Sequence, residues 1–305
     1  MGVKGFRVRL LGGDVSPRRY FRVAAGDDSF IVAVYPEEIR EAAARFETTT
    51  RLLESIGVVV PRILEIDLAV GLMLLEDAGE ETLFDRSGVD WEALAAALAQ
   101  ARGIVERIQT LAPAAIDAVN PRLDGVALMR ELQMTWDLYL EPESLCGEGT
   151  FRQALHACLE ELCRELGRED AVPCHRDFMA RNLIPRSDGE LLVLDHQDLR
   201  MGPKHYDLAS LTNDSLFLSS DRQRRVLGSE IVSRPSFRRS AAQRSLKIAG
   251  TFVSFAQRGS PRYLPWVGRC LARGAAYLST LPEAEGLEEE LRRLWQADLA
   301  APHRR

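Results

Sequence analysis

Three polar side chains near the middle of the chain have the types and spacing that phosphoryl transfer requires. Asp177 and Asn182 lie close together in sequence, and Asp195 follows at the end of an apolar run. Phosphoryl transfer needs an aspartate to orient the acceptor hydroxyl, and an asparagine and a second aspartate to hold metal against the nucleotide. We therefore expect Asp177 to be the catalytic residue, and Asn182 and Asp195 to be ligands of Mg²⁺.

The residues between Asn182 and Asp195 predict a β-hairpin. Residues 183–184 and 191–194 are short apolar runs, and Asp188-Gly189 lies between them. An Asp-Gly pair between two apolar runs is typical of a tight hairpin turn. Because a hairpin brings its two ends together, Asn182 and Asp195 are expected to lie close enough to share one metal ion.

Residues 175–182 fit the catalytic-loop pattern H-R-D-x-x-x-x-N of protein kinases, but the sequence after them departs from those enzymes. Asp195 is followed by His-Gln-Asp rather than by Phe-Gly, and a Tyr-Asp-Leu-Ala run begins at Tyr206 without a long activation segment. These features resemble the aminoglycoside phosphotransferase and choline kinase superfamily. A closer resemblance, to the bacterial anomeric N-acetylmuramate/N-acetylglucosamine kinases of cell-wall recycling, is carried by residues 18–22, 130–140, 175–182 and 247–264.

This resemblance implies an α+β, bilobal protein-kinase-like fold. A small β-rich N-terminal lobe, residues 1–78, would bind the nucleotide, and a larger, mainly helical lobe, residues 79–305, would carry catalysis and substrate binding. The implied reaction transfers the γ-phosphate of ATP or GTP, with Mg²⁺, to the anomeric hydroxyl of an amino sugar. Two alternatives are an aminoglycoside or choline-type phosphotransferase and a nucleotide-binding pseudokinase that acts as a regulator.

Hydrophobic periodicity agrees with such a fold. Residues 6–11, 20–23 and 30–35 alternate or cluster as strands do, residues 39–53 keep a helical period, and residues 71–75 form another apolar strand. Beyond Gly79 the apolar stripes are helical, including one through Leu128, Leu132, Trp136 and Tyr139. Stripes of this kind predict core packing.

The third predicted strand lacks a residue that the resemblance leads us to expect. Kinases of this type usually place a lysine there to hold the phosphates, whereas residues 30–35 contain none. Arginines near the preceding Gly turn are the expected substitutes, because a guanidinium offers planar donors and stays charged. The residues expected to bind the nucleotide are Gly12, Gly13, Arg18, Arg19, Arg22, Glu76 and Ala78.

The substrate-binding residues are expected outside this nucleotide machinery. Glu131 and Gln133 could bond sugar hydroxyls or the acetamido group, and Trp136 could cover an apolar sugar face, although core packing explains Trp136 equally well. An arginine could meet the lactyl carboxylate of muramate. The predicted substrate-binding set is Glu131, Gln133, Trp136, Arg181 and Arg262, with His175 and Asp207 as structural supports of the loop.

Composition excludes several classes of protein. The 305 residues are 46% hydrophobic and 28% charged, which is ordinary for a globular chain, and the net charge of −6 disfavours nucleic-acid binding. Apolar runs long enough to span a membrane are missing, so we expect no membrane partner. The five cysteines form no C-x-x-C pair, which favours reduced thiols in the cytoplasm.

One basic stretch contradicts the acidic average. Residues 222–247 carry eight arginines and lysines against one acid, Glu230. A solvated helical face is the favoured interpretation. The alternative is that some of these arginines hold an anionic substrate.

Overall fold

The structure, a computed structural model, describes residues 5–12, 17–88, 90–141 and 149–293. Its strands are β1 (Arg7–Leu11), β2 (Arg19–Ala25), β3 (Asp28–Val34), β4 (Ile63–Asp67), β5 (Leu72–Glu76), β6 (Ala171–Cys174), β7 (Leu183–Pro185), β8 (Leu191–Val193) and β9 (Arg200–Pro203). Its α-helices are α1 (Glu41–Ser55), α2 (Trp91–Ile108), α3 (Pro113–Asp117), α4 (Gly125–Thr135), α5 (Thr150–Arg168), α6 (Tyr206–Asn213), α7 (Ser220–Leu227), α8 (Ser229–Val232), α9 (Pro235–Gln257) and α10 (Leu264–Leu278).

The chain forms two compact units. The first contains residues 1–111 together with 180–199, and the second contains residues 112–179 together with 200–305. The chain therefore passes from the second unit into the first inside the predicted catalytic loop, between Met179 and Ala180. The lobe boundary at residues 78–79 stays a prediction.

A five-stranded antiparallel sheet, in the order β1-β2-β3-β5-β4, forms the N-terminal part of the first unit. Alternate residues of its inner strands point to one face, as the two-residue period of a strand requires. Ala33 pairs with Met73 in register, and both are buried. Helix α1 packs its apolar residues Ala43 and Phe46 with these strand residues. A small hydrophobic core thus lies between α1 and the sheet.

The predicted hairpin is present as β7 and β8 and belongs to the first unit. Leu183 pairs with Val193, and Gly189 in the turn has a φ of 88°, a left-handed conformation that glycine adopts without steric cost. Two backbone bonds tie the hairpin to the rest of the unit. Val193 N donates to Val59 O (2.9 Å), and Leu83 N donates to Leu183 O (2.7 Å).

Helix α9 is the central element of the second unit. It packs against α4, α6 and α10, and most of its residues between Phe237 and Val253 are buried. Helix α4 approaches it closely at Gly250, whose backbone N donates to Thr135 Oγ1 (3.1 Å). The same hydroxyl donates to Leu246 O (2.7 Å), so Thr135 satisfies backbone groups of α9 in the core. The strands β6 and β9 pair beside this bundle, with Cys174 opposite Arg200.

The predicted fold class is confirmed, because an antiparallel N-terminal sheet is followed by a larger helical part. The strands predicted at residues 6–11, 20–23 and 30–35 correspond to β1, β2 and β3, and the helix predicted at residues 39–53 corresponds to α1. Among the described residues, a helix both long and apolar enough to cross a membrane is absent.

The close approach of α4 and α9 generates a stability prediction. A methyl group at Gly250 would lie 2.6 Å from Thr135 N, whereas one at Gly103 in α2 would meet no atom within 4 Å. We expect Gly250→Ala to lower the free energy of unfolding by about 1–3 kcal/mol through overpacking. Gly103→Ala, the matched control, should instead raise it by roughly 0.4–1 kcal/mol by restricting the unfolded chain. Urea unfolding of both variants checks this, and equal effects would contradict the packing assignment.

Candidate active site

The loop that carries Asp177 is held at its backbone by Asp207. Strand β6 ends at Cys174, and the next two backbone amides, of His175 and Arg176, donate to Asp207 Oδ2 (2.7 Å) and Oδ1 (2.9 Å). Asp207 lies in the first turn of α6 and is buried. The carboxylate of Asp207 thereby stabilises Arg176, whose φ of 77° is uncommon for a residue other than glycine. The carboxylate of Asp207 thus bonds the backbone of the loop, and its predicted structural role stays a prediction.

The side chain of Asp177 is surrounded by positive charge. Arg244 Nη1 donates to Asp177 Oδ1 (3.0 Å), Lys247 Nζ lies 3.5 Å from the same oxygen, and Arg176 Nη1 lies 3.9 Å from Oδ2. Burial raises the pKa of this carboxyl group, but the three cations outweigh burial and hold the pKa of Asp177 well below its usual range. Asp177 is therefore an ionised acceptor of hydrogen bonds at neutral pH.

Arg244 connects this carboxylate to the helices behind it. Its Nε donates to Asp214 Oδ2 (2.8 Å), its Nη2 bonds the same oxygen, and its Nη1 also donates to the carbonyl of Arg176 (2.7 Å). The Arg244 side chain is completely buried, and Asp214 is buried as well. One guanidinium thus contacts both the backbone and the side chain of the loop.

Glu131 of α4 forms a second, partly buried ion pair beside the loop. It accepts from Arg176 Nη2 (2.7 Å), and the Tyr206 hydroxyl (3.2 Å) and Gln243 Nε2 (3.4 Å) also bond it. Burial raises the pKa of this carboxyl group, yet the charges of Lys247 and Arg176 lower the pKa of Glu131 to about 2 overall. Glu131 is thus the counter-ion of Arg176.

In the first unit, the hairpin holds the two predicted metal ligands side by side. Leu194 N donates to Asn182 O (2.8 Å), which joins the ends of the two strands. Asp195 follows with a φ of 59°, an uncommon left-handed conformation two residues after the end of β8. Its Oδ1 accepts from Gln197 Nε2 (2.9 Å) and from Arg18 Nη2 (3.3 Å).

A cavity of about 340 Å³ lies in the first unit beside the sheet. Its walls include apolar side chains such as Ile31, Phe46 and Leu75. An apolar pocket with a few polar groups is typical of a cofactor or nucleotide site. The predicted nucleotide and metal residues that line it are Gly12, Arg22, Glu76, Ala78, Asn182 and Asp195.

The three candidate arginines of β2 and its approach have different surroundings. Arg18 is mostly buried and contacts Asp195, whereas Arg19 is exposed on β2. Arg22 is paired with Asp77 (Nε to Oδ2, 2.6 Å) and donates to Gly79 O (3.0 Å), so it supports the segment after β5. Gly13, the remaining predicted nucleotide residue, lies outside the described residues.

Comparison with known proteins decides the family. The model of the phosphotransferase enzyme family matches residues 7–239, about three quarters of the chain. The chain belongs to this family. An N-acetylmuramate/N-acetylglucosamine kinase of Pseudomonas aeruginosa is 34% identical, over 93% of this chain and 87% of that protein. A protein of the same name from Neisseria meningitidis is 28% identical, over 88% of this chain and 84% of that protein.

Solved structures of this phosphotransferase fold are similar over nearly the whole chain. Choline kinase LicA from Streptococcus pneumoniae superposes with a TM-score of 0.63 at 17% identity, covering 90% of this chain and 93% of that one. A thermostable mutant of aminoglycoside phosphotransferase APH(4)-Ia gives the same TM-score at 15% identity, covering 90% of this chain and 94% of that one. At identities this low, the TM-scores establish a shared fold and nothing further. Family membership implies a nucleotide phosphoryl donor and a small-molecule acceptor.

The predicted substrate residues of the phosphotransferase have varied surroundings. Trp136 is buried in the core of the second unit and packs edge-on against His156 (centroids 4.9 Å apart). Gln133 donates to Asp137 on the same helical face (2.7 Å). Arg262 lies over the ring of Tyr263 in the second unit, and Arg181 lies over the ring of Phe84 in the first. Their binding of a sugar stays a prediction.

Sequence reasoning missed Arg244 and Lys247, the two cations closest to Asp177. Both belong to the basic stretch that was interpreted as a solvated helical face, and that prediction is wrong for them because both are buried. A signal was present in the spacing. Lys247 follows Gln243 by four residues and Arg244 by three, so the three side chains share one face of α9 with apolar neighbours.

Glu131 generates a prediction about pH. Its pKa of about 2 in the folded protein lies below the ordinary value of 4.5, so its ionisation stabilises the fold above pH 4.5 and loses that effect as the pH falls towards 2. We expect Glu131→Gln to destabilise the protein most near neutral pH. The difference from wild type in unfolding free energy should shrink below about pH 4.5, measured by denaturant titration at several pH values. A difference independent of pH would contradict the ion pair.

Proposed function

We propose that this phosphotransferase transfers the γ-phosphate of a nucleoside triphosphate to the anomeric hydroxyl of N-acetylmuramate or N-acetylglucosamine. The product would be the sugar 1-phosphate. The observation that carries this proposal is the 34% identity to an N-acetylmuramate/N-acetylglucosamine kinase, because it extends over 93% of the chain. The similarity therefore includes the helices of the second unit as well as the loop.

Asp177 is proposed to receive the acceptor. Its ionised carboxylate can accept a hydrogen bond from the sugar hydroxyl, which turns an oxygen lone pair towards the phosphorus atom. The low pKa of Asp177 makes it a weak base in the ground state, so orientation is its first role. The proton moves to this carboxylate as the new oxygen–phosphorus bond forms and the acceptor oxygen loses basicity.

Asn182 and Asp195 fit a magnesium ion by their chemistry. Mg²⁺ prefers oxygen ligands and is usually held by one or two protein groups together with phosphate oxygens. A side-chain amide and a carboxylate stand at the adjoining ends of β7 and β8 and line the same cavity. When bound there, the ion would neutralise charge on the nucleotide phosphates. Asn182 and Asp195 would hold and orient it.

The remaining predicted nucleotide residues are proposed to place ATP or GTP in this cavity. Glu76 and Ala78 lie at the end of β5 and directly after it, where backbone groups can bond a purine base. Arg22 would act indirectly, since its guanidinium holds Asp77 and the Gly79 carbonyl. Arg18 contacts Asp195, which lines the cavity, and is proposed to meet phosphate oxygens.

The charges around Asp177 favour a sugar over a cationic acceptor. Glu131 is paired with Arg176, Asp214 with Arg244, and Asp177 with Arg244 and Lys247. Each of these three carboxylates already has a cation of the chain beside it. An aminoglycoside or choline would add positive charge next to Arg176, Arg244 and Lys247, and like charges at short range repel.

The product of the reaction tests the proposal. The protein is incubated with ATP or GTP, Mg²⁺ and, separately, free N-acetylmuramate, N-acetylglucosamine, an aminoglycoside and choline. We expect phosphorus NMR to show a glycosyl 1-phosphate, split by the anomeric proton and labile to mild acid. A 6-phosphate, transfer to aminoglycosides or choline alone, or nucleotide binding without transfer would overturn it in favour of the corresponding alternative.

Asp177→Asn is the matched control for that assay. The variant keeps the size of the side chain but cannot take a proton, so kcat should fall roughly 10²–10⁴-fold. Affinity for the nucleotide should stay unchanged. Turnover like that of wild type would show that another group serves the acceptor.

Arg18 and Arg19 provide a second, internally controlled test. Arg18→Ala should raise the KM for the nucleotide and lower kcat together, because a charged donor next to Asp195 would be lost. Arg19→Ala removes the neighbouring exposed arginine and should leave both constants near wild type. Steady-state kinetics with varied nucleotide distinguish the two. The opposite ranking would place the phosphates beside Arg19 instead.

A further inference from the structure

Helix α9 places two cations beside Asp177, and they differ in how fully they are bonded. Arg244 is completely buried and makes four hydrogen bonds, to Asp214, Asp177 and the Arg176 carbonyl. Its donors are directed at the protein itself. Arg244 is therefore a positioning residue, which fixes the loop but has little capacity left for a ligand.

Lys247 lies one helical turn further along α9. Its side chain is 9% exposed, and within the described residues its ammonium makes one hydrogen bond, a long one of 3.5 Å to Asp177 Oδ1. An ammonium group carries three N–H donors. A buried charge with so few bonds is costly unless a further partner supplies them. The ammonium of Lys247 is thus poised for an anion next to Asp177.

We propose that Lys247 is a further catalytic residue whose ammonium binds the phosphoryl group on the acceptor oxygen that Asp177 holds. This inference rests on the proposed function. Lys247 Nζ lies 3.5 Å from Asp177 Oδ1. An acceptor hydroxyl oxygen that is hydrogen-bonded to Oδ1 is therefore also close to the ammonium group. A phosphorus atom bonded to that oxygen brings its own oxygens within hydrogen-bond reach of the ammonium.

The chemical step balances without any change in the protonation of Lys247. The acceptor oxygen forms a bond to the γ-phosphorus, and its proton passes to Asp177. The bond from that phosphorus to the bridging oxygen breaks, and the electron pair leaves with the nucleoside diphosphate. Negative charge on the transferred phosphoryl oxygens then lies beside a fixed ammonium, a preorganised electrostatic contact that lowers the barrier.

The lactyl carboxylate of muramate is a different anion that could approach the same lysine. It is attached through carbon 3 of the ring, two carbons away from the anomeric carbon. Lys247 Nζ lies 3.5 Å from Asp177, which is proposed to hold the anomeric hydroxyl. Under this proposal the ammonium is closer to the phosphoryl group transferred to that hydroxyl than to the lactyl group on carbon 3. Lys247 should consequently matter as much for N-acetylglucosamine, which lacks the carboxylate, as for N-acetylmuramate.

The test compares Lys247→Met, Lys247→Arg and the exposed-lysine control Lys204→Met in the full chain. We expect Lys247→Met to lower kcat about 100- to 1000-fold for both sugars. Calorimetry should show roughly 10- to 100-fold weaker binding of the sugar 1-phosphate, with unchanged binding of free N-acetylglucosamine. Lys247→Arg should recover part of the product affinity, and Lys204→Met should behave as wild type.

Each outcome separates this inference from the proposed function. If wild type phosphorylates neither sugar, the proposed function fails first. If wild type is active and Lys247→Met keeps its kcat and product affinity, Lys247 is a structural counter-ion and the inference is wrong. Weaker binding of N-acetylmuramate alone would assign Lys247 to the lactyl carboxylate and would also overturn it. If Lys247→Met does not fold, Lys247→Arg decides. Weaker binding of the sugar 1-phosphate with unchanged binding of free N-acetylglucosamine supports the inference, and product binding and kcat like those of wild type overturn it.

Discussion

The guanidinium of Arg244 is completely buried in the second unit, and the packing of that unit depends on the groups that compensate its charge. A charge removed from water is tolerated only when ion pairs and hydrogen bonds replace its hydration. Arg244 has both, because Asp214 and Asp177 supply the charge and the Arg176 carbonyl supplies a further acceptor. Three elements are thereby joined at one side chain: the end of α6, the middle of α9 and the loop after β6. Moving any of them would leave a buried charge without its partner.

The loop carrying Asp177 is consequently fixed from two directions. Asp207 holds its backbone through two amides, and Arg244 holds its carboxylate and a carbonyl. Arg176 occupies an uncommon backbone conformation between these supports, and its side chain is held in turn by Glu131. Buried ion pairs of this kind contribute little net stability. Their value here is that the carboxylate stays ionised and in one orientation, as an acceptor-binding group requires.

The sequence was sufficient to predict the local features and insufficient for the distant ones. The hairpin that carries Asn182 and Asp195 follows from an Asp-Gly turn between apolar runs, and the strands before α1 follow from periodicity. Arg22 is one of the three arginines expected to substitute for the missing strand lysine, and that role stays a prediction. Its pairing with Asp77 depends on which strands become neighbours, and spacing along the chain does not show that. The basic stretch misled for a similar reason. The sequence shows that α9 carries many positive charges. It does not show that Arg244 and Lys247 are buried, because their burial depends on α4, α6 and α10 packing around α9.

The most direct measurement is a double-mutant cycle between Arg244 and Asp214, read out as the free energy of unfolding. We expect Arg244→Met and Asp214→Asn each to cost roughly 3–5 kcal/mol, because each leaves a buried charge unpaired. The double variant should lose far less than the sum, with a coupling of about 2 kcal/mol or more. Losses that add within about 0.5 kcal/mol would mean that the two groups act independently. That result would contradict the claim that one buried ion-pair network organises the loop.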